Sequence, residues 1–253
     1  MSEPKEPGFF APEMTYYPRE EEWYLGLFQN AGNAVWVGES STHYTKLPIF
    51  PGVAARISEY SPGARLIYLM RDPVDRTISH YWHAVRKLEE RRPILQALEE
   101  EEQYIALSDY PRQLAPYLEH FQRDQILTLT FEEMVTHQDR TLPTVLSWLD
   151  LKPISPLRLP ASNVRPEGFR RLRGRGLLWR FAQSGAWERL HGHVPQFVKD
   201  MGRHMAIAPA RVDAGAVKEA QSYLRPIMRE KVESLSKLLD RSFPEWAKTL
   251  GSA

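Results

Sequence analysis

Seven residues, Ala64 to Met70 (Ala-Arg-Leu-Ile-Tyr-Leu-Met), run directly into Arg71-Asp72-Pro73, and this junction constrains the fold more than any other stretch of the chain. Apolar side chains fall on both faces of the extended segment, as a strand requires when a parallel sheet is covered on two sides. Asp72 is suited to cap a helix and Pro73 to open it. The proline ring presets the first helical φ, and its missing N–H would be unpaired there in any case. The helix is expected to extend to about Glu90, with Val74, Ile78, Tyr81, Trp82 and Val85 as its core stripe. Arg76, Ser79 and His83 fall on a neighbouring polar stripe.

The remaining pattern alternates strands with helices through short loops, which predicts an α/β fold with a mainly parallel sheet flanked by helices, in one domain over residues 1–253. Ala34 to Val37 reads as a short buried strand broken by Gly38, and Gln125 to Thr130 as a further strand. Helices are expected at Glu20–Phe28, Gly52–Tyr60, Tyr110–Phe121 and Thr141–Leu149, with a short one beginning at Phe131. A long amphipathic helix, Ala214 to Leu239, is expected to bury Leu224, Ile227, Met228, Val232, Leu235 and Leu238/Leu239. The acidic run Glu99 to Glu102 reads as a solvated helix face.

Composition closes off several function classes. Lys and Arg total 33 against 32 acidic residues, a net charge of +1, which excludes a uniformly basic nucleic-acid coat. The Arg-rich stretch from 165 to 180 has only Phe169 and Trp179 interleaved, so no nucleic-acid partner is expected. The chain has no cysteine, which removes disulfides, thiolate metal sites and thiol nucleophiles. The His191-Gly-His193 pair is isolated, and no metal is expected. No apolar run reaches the roughly 18–20 residues of a bilayer span, and the first residues lack the apolar stretch of a secretory signal. A soluble, cytoplasmic protein is expected. A homo-oligomer is compatible with the sequence and undecided by it.

The chemistry concentrates where the strand at 64–70 meets the helix. The carboxyl end of a parallel strand and the amino end of a helix together favour anions, through free N–H groups and the helix dipole. Arg71 adds a planar fork suited to phosphate, and Ser79, two turns on, a hydroxyl donor. The same residues also read as a capped helix start with a local ion pair.

Taken with its neighbours, the junction resembles a known family. Arg71-Asp-Pro-x-x-Arg76-x-x-Ser79-x-Tyr81 after a strand is similar to the 3′-phosphate-binding element of sulfotransferases that use 3′-phosphoadenosine-5′-phosphosulfate (PAPS). Lys5-Glu6-Pro7-Gly8-Phe9-Phe10, Trp23-Tyr24, Gly38-Glu39-Ser40-Ser41-Thr42-His43-Tyr44 and Pro48 follow in the order seen in heparan-sulfate-type and related bacterial members. Ile126 to Glu132, then Trp148-Leu149-Asp150-Leu151, resembles the family's late strand and helix end.

The resemblance implies a fold of the P-loop NTPase-like type, PAPS as donor co-substrate without a metal, and a small-molecule or glycan acceptor. It implies Arg71 and Ser79 as ligands of the 3′-phosphate. Arg76 is open between a phosphate contact and an ion pair. Glu6 takes the place of the catalytic base. Sulfuryl transfer is an in-line displacement, and a positioned carboxylate can remove the acceptor proton. His43 is the rival base, in a Thr42-His43-Tyr44 element similar to the Thr-His-Leu-Pro loop of small-molecule sulfotransferases, one residue out of alignment. Ser40 stands where heparan-type members often have a lysine. The Arg-rich stretch is either a basic loop over the nucleotide or acceptor, or a solvated loop.

The family's Gly-rich phosphosulfate loop, with its lysine, comes before the Lys-Glu element, and no counterpart occurs in these 253 residues. Turnover by the chain as written is therefore expected to be very low, and its first strand is expected to be lacking. Two other readings stand beside the enzyme. A nucleotide kinase-like phosphotransferase would need a Walker loop and Mg²⁺ carboxylates that the sequence does not contain. A divergent or truncated, non-catalytic member would bind nucleotide or a partner only.

Overall fold

A computed structural model describes residues 2–14, 17–18, 20–87, 89–153, 169–172, 207–210 and 213–251. The chain divides into two compact units: Met1–Thr77, Glu101–Leu159 and Leu224–Ala253 form the first, and Ile78–Glu100 with Pro160–Tyr223 the second. Helices α1 (Glu21–Gly26) and α2 (Val53–Tyr60) precede strand β1 (Leu66–Met70) and helix α3 (Pro73–Arg86). Helices α4 (Ile94–Glu100), α5 (Glu102–Ala106) and α6 (Tyr110–His120) lead to strand β2 (Ile126–Thr130). Helices α7 (Phe131–Thr136) and α8 (Gln138–Trp148) follow. Strands β3 (Phe169–Leu172) and β4 (Ile207–Ala210), helix α9 (Ala214–Leu239) and helix α10 (Ala247–Leu250) complete the order.

The first unit is built on β1 and β2, which pair in parallel with Leu66 opposite Ile126 and Met70 opposite Thr130. Strands end and helices begin at the same level, so the β1–α3 and β2–α7 junctions lie side by side. Each junction is closed by its own cap. Asp72 Oδ1 accepts from the Asp75 amide at 2.9 Å, and Thr130 with Glu133 forms a reciprocal capping box at α7. The core of this unit is large, with Met70, Val74, Leu114, Leu224, Met228, Leu235 and Trp246 all essentially inaccessible to solvent. In the second unit Ile78, Tyr81, Val85, Ile94 and Leu98 are buried, and β3 pairs antiparallel with β4.

The α/β class holds: the fold is mostly helical with a small parallel sheet. Helix α9 follows the sequence pattern closely, with Leu224, Met228, Val232, Leu235 and Leu239 buried, although Leu238 is 40% exposed. Helix α3 ends at Arg86 rather than near Glu90. The clear correction concerns Ala34–Val37, expected as a buried strand. Among the described residues no strand forms there; Val35 is 82% exposed. Trp36 instead donates its indole N–H to the Leu149 carbonyl at 2.8 Å and stands 5.1 Å from the Arg65 guanidinium. A strand needs a neighbour to complete its ladder, and β1 pairs only with β2 among the described residues. The same geometry bares one face of β1: Ile67 is 47% and Leu69 42% exposed, so the two-sided burial read from the sequence is realised on one side alone.

Candidate functional site

The site is built at the carboxyl end of β1, where sheet and helix leave two consecutive residues, Arg71 and Asp72, between them. Arg71 is held by its backbone. Its amide donates to the Tyr110 hydroxyl at 3.1 Å, and that hydroxyl donates to the Arg71 carbonyl at 2.6 Å. Burial pushes the Tyr110 hydroxyl up to about 12, with the Arg76 charge and the Arg71 backbone pulling the other way, so it keeps its proton at neutral pH. The next amide, of Asp72, donates to Glu132 Oε1 at 3.0 Å. Three amides at this helix start are therefore already engaged, counting that of Asp75. The helix N-terminus offers less to an anion than its position implied, and an anion held there would depend on side chains.

The Arg71 side chain is far less constrained than its backbone. Its guanidinium meets Asp75 at 3.4 Å, a loose i,i+4 pair, and lies 5.7 Å from the Phe131 ring centroid. A pair of that length and partial exposure contributes little and exchanges readily for a better anion. Asp72 is buried, its Oδ2 makes no well-formed hydrogen bond, and its carboxyl is pushed up to about 6. Burial is the main cause, aided by the charges of Asp75 and Glu132 and opposed by the Asp75 amide and the Thr249 side chain.

Arg76 reaches the Ser108 hydroxyl at 3.2 Å, and the same hydroxyl accepts from Thr77 Oγ1 at 2.7 Å. Ser79 is exposed on α3, in the part of the helix that belongs to the second unit.

Glu6 belongs to the other half of the predicted site. It is exposed, in a left-handed backbone conformation with φ 55°, and its Oε2 accepts from the Thr42 hydroxyl at 2.9 Å. Two residues on, the Gly8 amide donates to Ser41 Oγ at 2.9 Å. The Glu6 loop and the Ser41–Tyr44 segment are thus stitched together, which brings the two rival bases onto neighbouring backbone. His43 is half-buried, edge-on to Phe50 at 5.3 Å between ring centroids.

Beneath this loop sits a residue that sequence reading did not single out. Glu39 accepts from Tyr24 Oη at 3.1 Å, Ser41 Oγ at 2.8 Å and Tyr44 Oη at 2.6 Å. Burial, and then the Glu39 charge, push both tyrosine hydroxyls well above the ordinary phenol range. Its signal was its place beside Gly38 in the matching segment, but only folding supplies its three hydroxyl donors. Phe9 stacks on Tyr24 at 4.1 Å, with Phe10, Tyr44 and Tyr60 around them. These aromatics pack against one another.

The Arg-rich stretch lies outside the described residues, apart from the backbone of β3, and so does His191-Gly-His193. Among the described residues no group of His, Asp or Glu is placed to hold a metal ion, and no helix is long and apolar enough to cross a membrane.

Residues 6–155 match the Sulfotransferase family, more than half of the chain. The chain belongs to that family. Within it, residues align with two Mus musculus proteins, heparan sulfate glucosamine 3-O-sulfotransferase 3B1 and heparan sulfate glucosamine 3-O-sulfotransferase 3A1. Each is 30% identical over 159 residues, covering 59% of this chain and 39% of the relative. The chain thus spans about two fifths of the length of these curated relatives. A sulfotransferase from Alicyclobacillus acidocaldarius shares the fold with a TM-score of 0.64 at 20% identity, over 97% of this chain and 87% of that one.

Proposed function

We propose that the chain binds PAPS and transfers its sulfuryl group to a hydroxyl or amine of a carbohydrate, glycolipid or similar acceptor. The carrying observation is Arg71: its backbone is fixed at the end of β1 while its guanidinium is only loosely paired with Asp75. Exchange of Asp75 for a phosphate gains a bidentate, charge-assisted contact. Ser79 keeps the role of phosphate hydroxyl donor that the family resemblance implies, and Arg76 stays open between a phosphate contact and an ion pair.

In the transfer, the bond from sulfur to the phosphate oxygen breaks as the acceptor oxygen or nitrogen bonds to sulfur. The acceptor proton passes to a base, and 3′-phosphoadenosine-5′-phosphate leaves. Glu6 is the base in this reading: its carboxylate is exposed and, among the described residues, accepts from the Thr42 hydroxyl alone, which leaves lone pairs for an acceptor proton. His43 is the alternative base on the adjoining segment.

Retention on immobilised 3′,5′-bisphosphoadenosine tests donor binding on the full chain. Arg71→Ala should weaken it by about 1.5–3 kcal/mol, the range for hydrogen bonds to charged groups. Unchanged affinity removes Arg71 from this role.

A second reading, nucleotide binding without efficient transfer, is supported by the bare face of β1 at Ile67 and Leu69 beside the site. Transfer from labelled PAPS to a glycan separates the two.

A further inference from the structure

The backbone at Arg71 and Asp72 is tied to the C-terminal segment through Tyr110 and Glu132. Trp246, fully buried, donates its indole N–H to Glu132 Oε2 at 3.0 Å, while Glu132 Oε1 holds the Asp72 amide at the same distance. One carboxylate thus clamps the residue after Arg71 to the C-terminal segment. The Trp246 ring also lies 5.9 Å from that of Tyr110, whose hydroxyl binds both backbone groups of Arg71. Phe243 stacks on Trp246 at 4.4 Å and 5°, so the indole has little freedom to tilt. Both backbone groups of Arg71 and the Asp72 amide therefore lead, directly or through one ring, to Trp246, while the Asp72 carbonyl accepts from the Arg76 amide at 2.8 Å. Among the described residues the arginine side chain meets Asp75 and Phe131, contacts too weak to choose its direction.

We propose that Trp246 and Glu132 are positioning residues for the Arg71 guanidinium, with Tyr110 as the third member of the clamp. The inference rests on the reading of Arg71 as the 3′-phosphate anchor. A charged fork must sit within a few tenths of an ångström of its phosphate to bind it at both nitrogens. A backbone free to rotate at Arg71 would lose that contact without touching the nucleotide's other groups. The clamp therefore acts on recognition of the 3′-phosphate and leaves the rest of the nucleotide alone.

The experiment compares, on the full chain, affinities for 3′,5′-bisphosphoadenosine and for adenosine 5′-monophosphate. Arg71→Ala should lower the ratio of the two. Trp246→Phe keeps the stacked ring and removes the N–H. Glu132→Gln turns one of the two accepting groups into a donor. Tyr110→Phe removes the bridging hydroxyl. Each variant that retains the parent melting temperature should lower the ratio by 3–10-fold with monophosphate affinity unchanged, and should add nothing in the Arg71→Ala background.

If Arg71→Ala leaves the ratio unchanged, or the parent chain binds no bisphosphate, the donor-anchor reading falls and takes the clamp with it. If Arg71→Ala lowers the ratio but the folded clamp variants do not, the anchor stands and the positioning inference is overturned. Equal loss of both affinities in the clamp variants means a structural role only, and also overturns it.

Discussion

The two halves of the candidate site are held in opposite ways. Around Arg71 the supporting groups are buried: Trp246 and Thr130 are inaccessible, Asp72 nearly so, and each backbone amide from 71 to 72 has a side-chain partner. Around Glu6 the exposed carboxylate meets one hydroxyl among the described residues, and the tie to the fold is made by backbone at Gly8 and by the Glu39–Ser41 pair below. A change near Arg71 therefore disturbs packing and desolvation as well as binding. In the proposed reading a change at Glu6 reaches the chemistry with little effect on packing. The difference teaches that one scaffold can hold one loop junction rigidly and leave another adaptable, by burying the partners of one and not of the other; in the proposed reading these are the donor and acceptor sides.

The sharpest way to break this contrast is at Glu6. Glu6→Gln keeps size and the Thr42 contact but cannot take a proton. Whatever transfer the chain supports should drop by ~10²–10⁴, with bisphosphate affinity and melting temperature unchanged. A normal rate in Glu6→Gln, lost instead in a His43 variant, moves the base to His43.

A smaller effect, on stability, is expected at Asp72. Its carboxyl, ordinarily near 4, stands at about 6 in the folded chain because burial disfavours the charge. Between those values the folded state holds a proton that the unfolded state releases. Stability from this group is accordingly lost as pH rises from about 4 to about 6. Asp72→Asn still caps the Asp75 amide without a charge to desolvate. It should raise stability at pH 7 by ~1–3 kcal/mol and flatten the pH dependence of chemical denaturation over that window. A destabilised variant at pH 7 would mean that the charge is favourable where it lies.

The least effect is expected at Thr42. Thr42→Val removes an exposed hydrogen bond to Glu6, costs under about 1 kcal/mol in stability, and should change the transfer rate only several-fold. A loss as deep as that of Glu6→Gln would show that the loop is as tightly specified as the Arg71 junction.

Local signals carried most of the first unit. The capped start at Asp72-Pro73, the apolar segment before it and the 3.6-residue spacing of α9 each depend on neighbours in sequence, and all three appear where the pattern puts them. Ala34–Val37 fails for a complementary reason. Its composition suits a strand, but strand formation is decided by a partner edge and not by the segment. Glu39 was passed over because a glutamate after a glycine carries no mark of the three hydroxyls that converge on it. Glu132 and Trp246 are separated by 114 residues, and no periodicity or spacing links two single side chains across that distance.

By itself, then, the sequence determined the elements and the chemical types at their ends: a strand running into a capped helix, an arginine at the turn, a carboxylate near the start. Tertiary structure alone decided which faces of β1 are covered, that the helix-start amides are already engaged, and that Glu132 bridges the Asp72 amide to the Trp246 indole. The physical reason is range. Propensity, capping and amphipathic spacing act over a few residues, whereas burial and the pairing of polar groups depend on which distant residues the fold brings within 3 Å.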